Sequence, residues 1–249
     1  MSECELIMDL SIIIPVWNEE MKIRQDILNA VEFLNSQNLS GEVIVVDDGS
    51  QDNTVSTAME MWSQLPTSVR IIPCDRHYGK GYAVRQGMLA SCGDTVLFID
   101  SGGCVSYSDV MIGLTLIQQS RCDIAQASRY LAESCITQDQ PFIRRVLSHL
   151  FRTVVKIGFH LPGNITDTQC GLKIYRGNLA RNLFKASRCH GFLFDIEIMR
   201  FALHSDIPIK EFPIQWKADK DSRLSLIKNF PQFFKEISYL NHHDSKIPK

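Results

Sequence analysis

SIIIPV at residues 11–16, then Ile23, Ile27, Ala30, Val31 and Leu34 at helical spacing, a break at Gly41, and EVIVVDD at 42–48: this stretch decides the fold. Two uninterrupted apolar runs joined by an amphipathic helix make a βαβ unit. Strands without polar alternation belong to a parallel sheet covered by helices on both faces. The rhythm continues outward. Val55, Ala58, Met59 and Trp62 mark another helical face, VRII (69–72) a short strand, 80–91 a helix opening from glycines, and TVLFID (95–100) a third long strand. A helix at 106–118 and a strand in DIAQAS (123–128) follow. The pattern then changes: 141–158 is helical, 159–167 a loop, and TQCGLKI (168–174) a short strand. Helices at 177–185 and 194–204, a strand in IPIKEFPI (207–214) and a last helix from near Leu224 complete the chain. With 249 residues and no repeat or long linker, the expectation is a single α/β domain over 1–249, its second half adding to the same sheet.

The charge balance, 26 basic against 28 acidic side chains, supplies no field to recruit nucleic acid, so any basic site is local. Eight cysteines never form a C-x-x-C pair, which argues for free thiols in a reducing, cytoplasmic compartment. MSECELIMDL has no basic n-region, and no apolar run reaches 18 residues, so membrane contact is expected to be peripheral at most. Nothing in the sequence sets the oligomeric state.

Four polar clusters fall at one rim of the expected sheet: Asn18-Glu19, Asp47-Asp48-Gly49-Ser50, Tyr78-Gly79-Lys80-Gly81 and Asp100. Any one of them reads equally well as turn chemistry, and Asp52 as a helix cap. Together they lie where open α/β sheets bind ligands, at the carboxyl ends of the strands. Gly79-Lys80-Gly81 offers amides, a helix start and an ammonium, with Arg85 further on, which suits a diphosphate. Neither G-x-x-x-x-G-K-[ST] nor a G-x-G-x-x-G after the first strand is present, so an ATPase or a dinucleotide dehydrogenase is unsupported. A carboxylate such as Asp48 can accept from a nucleoside, whereas Asp100, near a diphosphate, would reach it through a divalent cation.

SIIIPVWNEE, VIVVDDGSQDNT, HYGKGYAVRQGM and VLFIDSGG resemble the nucleotide-sugar-binding half of the inverting GT-A glycosyltransferases of family 2. TDTQCGLKIY (166–175), HGFLFDIEI (190–198) and IKEFPIQW (209–216) are similar to the dolichyl- or polyprenyl-phosphate glucosyl- and mannosyltransferase branch. The resemblance implies a GT-A fold, a predominantly parallel sheet flanked by helices, with a donor half over 10–128 and an acceptor and transfer half over 129–225. It implies that Pro15, Glu19, Asp47 and Asp48 hold the nucleoside and that Lys80 and Arg85 lie toward the diphosphate. It also implies Mg²⁺ or Mn²⁺ on a D-x-D motif. Here Asp100 matches the first carboxylate and Gly102 stands in place of the second, leaving Asp100 as the one expected metal ligand.

For the acceptor half, the resemblance places Arg129, Arg144 or Arg145, and Ser148 toward an acceptor phosphate, and Phe194-Asp195 beside the transfer centre. The helix at 141–158 carries an apolar series (Ile143, Val146, Leu147, Leu150, Val154, Ile157) beside a basic one (Arg145, His149, Arg152, Lys156). It reads either as a surface helix packed on the sheet or as one meeting an anionic membrane or lipid phosphate. Asp195 reads either as a helix cap or, for a hydroxyl acceptor, as a general base. Asp100, Arg129 and Asp195 are thus the catalytic candidates. Lys220, Ser222 and Arg223 lie on a polar loop that could close on donor phosphates, and Trp216 is a wall or a core residue. The expectation is inverting transfer of glucose from UDP-glucose to a polyprenyl phosphate acceptor at the cytoplasmic membrane face. Two alternatives stay open: another donor, such as GDP-mannose, or a non-lipid acceptor; and a non-catalytic nucleotide-sugar-binding protein.

Overall fold

The computed structural model describes residues 8–65, 68–138, 142–218 and 230–242. β1 (Met8–Val16) lies inside a seven-stranded sheet, pairing in parallel with β2 (Gly41–Asp47) on one side and β4 (Gly93–Ile99) on the other. β3 (Ser68–Pro73) extends the sheet beyond β2, and the order is β3-β2-β1-β4-β7-β5-β8, with β5 Ile124–Ser128, β7 Leu172–Arg176 and β8 Ile209–Pro213. The central strands are apolar throughout because each face has its own core. Ile12, Ile14, Val43 and Val45 pack under α1 (Ile23–Ser36), α2 (Thr54–Trp62) and α4 (Tyr107–Gln118). Ile13, Ile44 and Val46 pack under α3 (Lys80–Ala90), α6 (Gly177–Ala186) and α7 (Phe194–His204). Side chains alternate across the pleat, so a strand covered on both sides needs apolar residues at every position.

Three features depart from the expectation. β7 runs antiparallel to both β4 and β5, because the chain returns from α5 (Phe142–Gly158) through a loop and enters the sheet at the carboxyl rim, with Leu172 opposite Ile99. That entry brings residues 166–171 to the rim, and the strand starts at Leu172 rather than at Thr168. The segment 207–214 gives β8 as expected, but directly after it an unexpected β9 (Gln215–Lys217) leaves the sheet to pair with β6 (Cys135–Gln138), a short, largely exposed strand without a periodicity to announce it. Finally, α5 turns Val155 inward and leaves Leu150, Val154 and Ile157 exposed, so the apolar series at those positions is not its packed side.

The last described helix, α8, spans Phe230–His242; Leu224, Lys220, Ser222 and Arg223, and the side chains of Ile143, Arg144, Arg145, Val146, Leu147 and Ser148, lie outside the described residues. Six cysteines are free thiols, Cys92 is disulfide-bonded against the expectation, and Cys4 lies outside the described residues. Among the described residues no helix is long and apolar enough to cross a membrane.

Candidate active site

Parallel pairing of β1 with β2 sets Pro15 opposite Val46 and Val16 opposite Asp47, and carries Asp48 just past the rim, where its amide donates to the Val16 carbonyl at 2.8 Å. Asp47 is buried; Oδ2 accepts from the Ser50 amide at 3.0 Å, while Oδ1 has no hydrogen-bond partner. Buried acceptors are almost always paired, so Oδ1 is an acceptor prepared for a donor group. Asp48 is also buried, and both its oxygens are engaged: Oδ1 by the Tyr78 amide at 2.8 Å, Oδ2 by the Gly79 amide and His77 Nδ1, each at 2.8 Å. Burial pushes its pKa up against the pull of those amides and of His77. Asp48 therefore clasps the 77–79 turn. Trp17 stacks on His77 with centroids 4.2 Å apart, presenting an aromatic edge at the same end. The Glu19 amide donates to Thr54 Oγ1 at 2.8 Å, and its carboxylate pairs with Lys22 at 3.1 Å.

The amides at the start of α3 are less available than the sequence implies. Gly79 is spent on Asp48, Gly81 donates to the Gly191 carbonyl at 3.2 Å and Tyr82 to the His190 carbonyl at 3.1 Å. The 187–193 loop is held against the helix by two buried carboxylates. Glu197 accepts from Ser187 Oγ at 2.6 Å and from the Cys189 amide at 2.9 Å, and Glu236 accepts from the Gly191 and Leu193 amides. What α3 offers a phosphate is chiefly the Lys80 ammonium. Arg85 turns away: its Nε donates to the Phe184 carbonyl of α6 at 2.9 Å.

Asp100 ends β4, with its amide on the Gly171 carbonyl at 2.8 Å. Lys80 Nζ lies 2.7 Å from Oδ1 and 2.8 Å from Oδ2. Burial disfavours the Lys80 charge, yet Asp100 and Asp195 hold its pKa above the ordinary lysine value. Asp195, at the start of α7, is buried and pairs through Oδ1 with Lys173 Nζ at 2.6 Å, itself a buried lysine, the second residue of β7. Burial pushes Asp195 up, opposed by Lys173 and Lys80. Asp100, Lys80, Asp195 and Lys173 thus alternate in sign from the rim inward. The two lysines lie 5.7 and 5.6 Å from the centroid of the Phe98 ring.

Asp100 fits a divalent cation as a one-carboxylate site. An ammonium already sits across both its oxygens, and Oδ1 has no hydrogen-bond donor apart from that ion pair. Mg²⁺ is commonly held by one or two carboxylates together with substrate phosphates and water. Among the described residues no group of three or more His, Cys, Asp or Glu side chains could hold a metal alone, so the remaining ligands must come with a substrate.

Arg129 follows β5 and is committed to Asp167: Nε to Oδ2 at 2.7 Å, Nη2 to Oδ1 at 2.9 Å, and its own amide to Oδ2 at 3.1 Å. Burial would raise the Asp167 pKa, but Arg129 holds it below the usual carboxylate range. Nη1 stays outside the pair. The guanidinium lies 5.3 Å from the Trp216 ring and 5.6 Å from Tyr130, and Arg152 of α5 covers the Tyr130 ring at 3.6 Å. Glu211 of β8 secures this corner, accepting from the Thr166 and Asp167 amides at 2.8 Å each. The structure therefore gathers Asp47, Asp48, Lys80, Asp100, Arg129 and Asp195 around one rim. Lys173, Asp167 and Glu211 were missed as site supports, although a lysine inside LKIY, a buried strand, is a signal that a partner charge exists.

A sheet of this topology with carboxylates and a lysine at its carboxyl rim is that of a GT-A glycosyltransferase. Residues 11–184 match the model of glycosyl transferase family 2, and the chain belongs to that family; it is a glycosyltransferase rather than a non-catalytic sugar-nucleotide binder. It is 31% identical to a dolichyl-phosphate beta-glucosyltransferase of Dictyostelium discoideum over 92% of this chain and 72% of that protein. A Saccharomyces cerevisiae protein of the same name is 33% identical, over 87% and 69%. Among solved structures, glucosyl-3-phosphoglycerate synthase of Mycobacterium tuberculosis with Mn²⁺, UDP and phosphoglyceric acid superposes with a TM-score of 0.68 at 18% identity, covering 97% of this chain and 80% of that one. The same synthase with Mn²⁺ and UDP-glucose gives 0.66 at 17%, covering 94% and 78%.

These findings correct the expected acceptor. The fold is matched almost end to end by an enzyme seen with phosphoglyceric acid, a non-lipid molecule, so the acceptor-half features that suggested a polyprenyl phosphate do not select a lipid. The non-lipid alternative is the better supported one.

Proposed function

We propose that this chain transfers glucose from UDP-glucose to a hydroxyl of a small, non-lipid acceptor bearing an anionic group, with inversion at the anomeric carbon. The carrying observation is the Asp100–Lys80 pair set beside Asp195 at one rim. Residues 10–128 take the donor: Asp47 Oδ1 accepts from the nucleoside, with Pro15, Glu19 and Asp48 shaping that end, and Lys80 faces the diphosphate. Arg85 contributes through α3 packing. Asp100 is the ligand for Mg²⁺ or Mn²⁺, which when bound would neutralise charge on the diphosphate. Both metals accompany UDP in the solved synthase structures.

Residues 129–225 take the acceptor. Arg129 Nη1 and Arg152, both close to the Tyr130 ring, provide positive charge for its anionic group. A hydroxyl, unlike a phosphate oxygen, must lose a proton as it attacks; Asp195, held on one oxygen by Lys173, is the base. The new bond forms at the anomeric carbon as its bond to the departing UDP breaks, and an α-linked donor gives a β-linked product. Reaction in the cytoplasm accords with the six free thiols, the Cys92 disulfide being the exception.

Release of UDP from UDP-glucose and of GDP from GDP-mannose, each with Mn²⁺, Mg²⁺ or chelator, tests this across phosphorylated hydroxy acids, neutral sugars and polyprenyl phosphate. Cation-dependent turnover of UDP-glucose with a phosphorylated hydroxy acid is expected; turnover with polyprenyl phosphate alone, or with none, would overturn it.

A further inference from the structure

The loop that carries Asp100 has no second carboxylate of its own and is built from residues with little intrinsic rigidity. Gly102 and Gly103 adopt φ of +98° and +63°, and glycines in this region are the least restrained positions of a chain. A one-carboxylate cation site demands that its carboxylate be held still, since substrate and water complete the shell. The restraint comes from α1. Asp26, in the first turn of that helix, accepts from Ser101 Oγ at 2.6 Å and from the Gly102 amide at 3.1 and 3.3 Å, so both residues after Asp100 hang on one side chain. Hydrogen bonds to an ionised acceptor are about twice as strong as neutral ones, and the helix start favours that charge. On the other side Asp100 is fixed by its amide on the Gly171 carbonyl at 2.8 Å.

We infer that Asp26 is a positioning residue for the cation site: it holds the Asp100 loop from α1 and thereby sets the affinity for the divalent ion, a task that no residue of the loop performs. This rests on the reading of Asp100 as the cation ligand. Asp26 bonds to Ser101 and Gly102, the residues that carry on from Asp100, so its loss is expected in cation binding before UDP binding.

The test is Mn²⁺ binding to the full chain with saturating UDP, read from the electron paramagnetic resonance signal of free Mn²⁺. Removing a partner behind a metal ligand typically weakens binding about 10–100-fold, and that loss is expected for Asp26→Ala, with UDP affinity in chelator unchanged. Ser101→Ala should give a smaller loss that does not add to that of Asp26→Ala, because both cut the same bond. Asp26→Asn keeps the shape and one acceptor oxygen, and reads an intermediate loss even where the alanine variant folds poorly. Unchanged Mn²⁺ affinity in Asp26→Asn and Ser101→Ala, with Asp100→Ala abolishing binding, overturns the role of Asp26. Mn²⁺ binding that survives Asp100→Ala overturns instead the ligand reading on which it stands.

Discussion

A Cβ at Gly171 would lie 2.1 Å from Asp100 Oδ2, well inside any allowed contact, so the carboxylate is seated against bare backbone. Gly171→Ala is therefore expected to displace Asp100 and cost at least about tenfold in turnover, the equivalent of ~1.4 kcal/mol of lost transition-state stabilisation; an unchanged kcat would show that the seat is dispensable. Gly102 is the counterpart on the other side. Its φ of +98° disfavours any side chain, so Gly102→Asp should lower stability by about 1–3 kcal/mol in thermal or denaturant unfolding instead of simply restoring a second ligand. Lys173 offers a test through pH. Burial pushes the Asp195 pKa up and Lys173 pulls it down, so Lys173→Met should raise it further. A base works deprotonated; the acid limb of kcat/KM is then expected to move to higher pH, and a limb that stays in place would remove Asp195 as the base. Asp100 was readable as a polar stop after TVLFI, whereas the need for glycine at 171 was not, because it arises from a contact with a distant strand end.

At the scale of elements, the antiparallel insertion of β7 makes the site. It delivers Asp167 to Arg129 and Lys173 to Asp195, and its own strand bridges β4 and β5. Breaking a buried ion pair by removing one partner typically costs about 3–5 kcal/mol, because the other charge is left uncompensated. Asp167→Ala should approach that range in denaturant unfolding; a loss under ~1 kcal/mol would mean that Arg129 finds another partner. The sign with pH follows from the lowered Asp167 pKa. Its stabilising contribution is complete above the unfolded carboxylate value of about 3.9 and is lost as pH falls through the lower folded value, so the wild type should lose this increment on acidification and Asp167→Asn should not. The parallel strands and the helices between them were legible, since burial on both faces writes itself as unbroken apolar runs. The direction of β7 was not, because five residues of LKIYR carry no mark of which end enters the sheet. Nor was the service of Gly81 and Tyr82 amides to the 187–193 loop, a contact decided by how α7 and α8 pack.

Across the whole molecule, two covered faces give a rigid sheet, and the groups with unfilled valence collect on its carboxyl rim. Asp47 Oδ1, and Asp100 Oδ1 apart from its ion pair with Lys80, are buried oxygens of this kind, without a hydrogen-bond partner. Such a scaffold should gain stability globally from a ligand that binds only the folded rim. At one hundred times its Kd, a ligand contributes about 2.7 kcal/mol, and for a chain of this size each kcal/mol raises Tm by about 2–4 °C. UDP-glucose with Mn²⁺ is thus expected to raise Tm by about 5–10 °C, and GDP-mannose at equal concentration by less than half of that. Asp47→Asn separates donor recognition from the fold: one bond, from the Ser50 amide to Oδ2, is the native contact at stake, while an amide nitrogen in place of the free acceptor would face the nucleoside with a donor. That variant should keep its ligand-free Tm to within a few degrees and lose most of the UDP-glucose shift. Asp100→Ala should instead keep the shift given by UDP in chelator and lose only the increment that Mn²⁺ adds. A full shift in Asp47→Asn would remove the nucleoside from this end of the sheet, and equal shifts for the two donors would remove uridine selectivity from the rim.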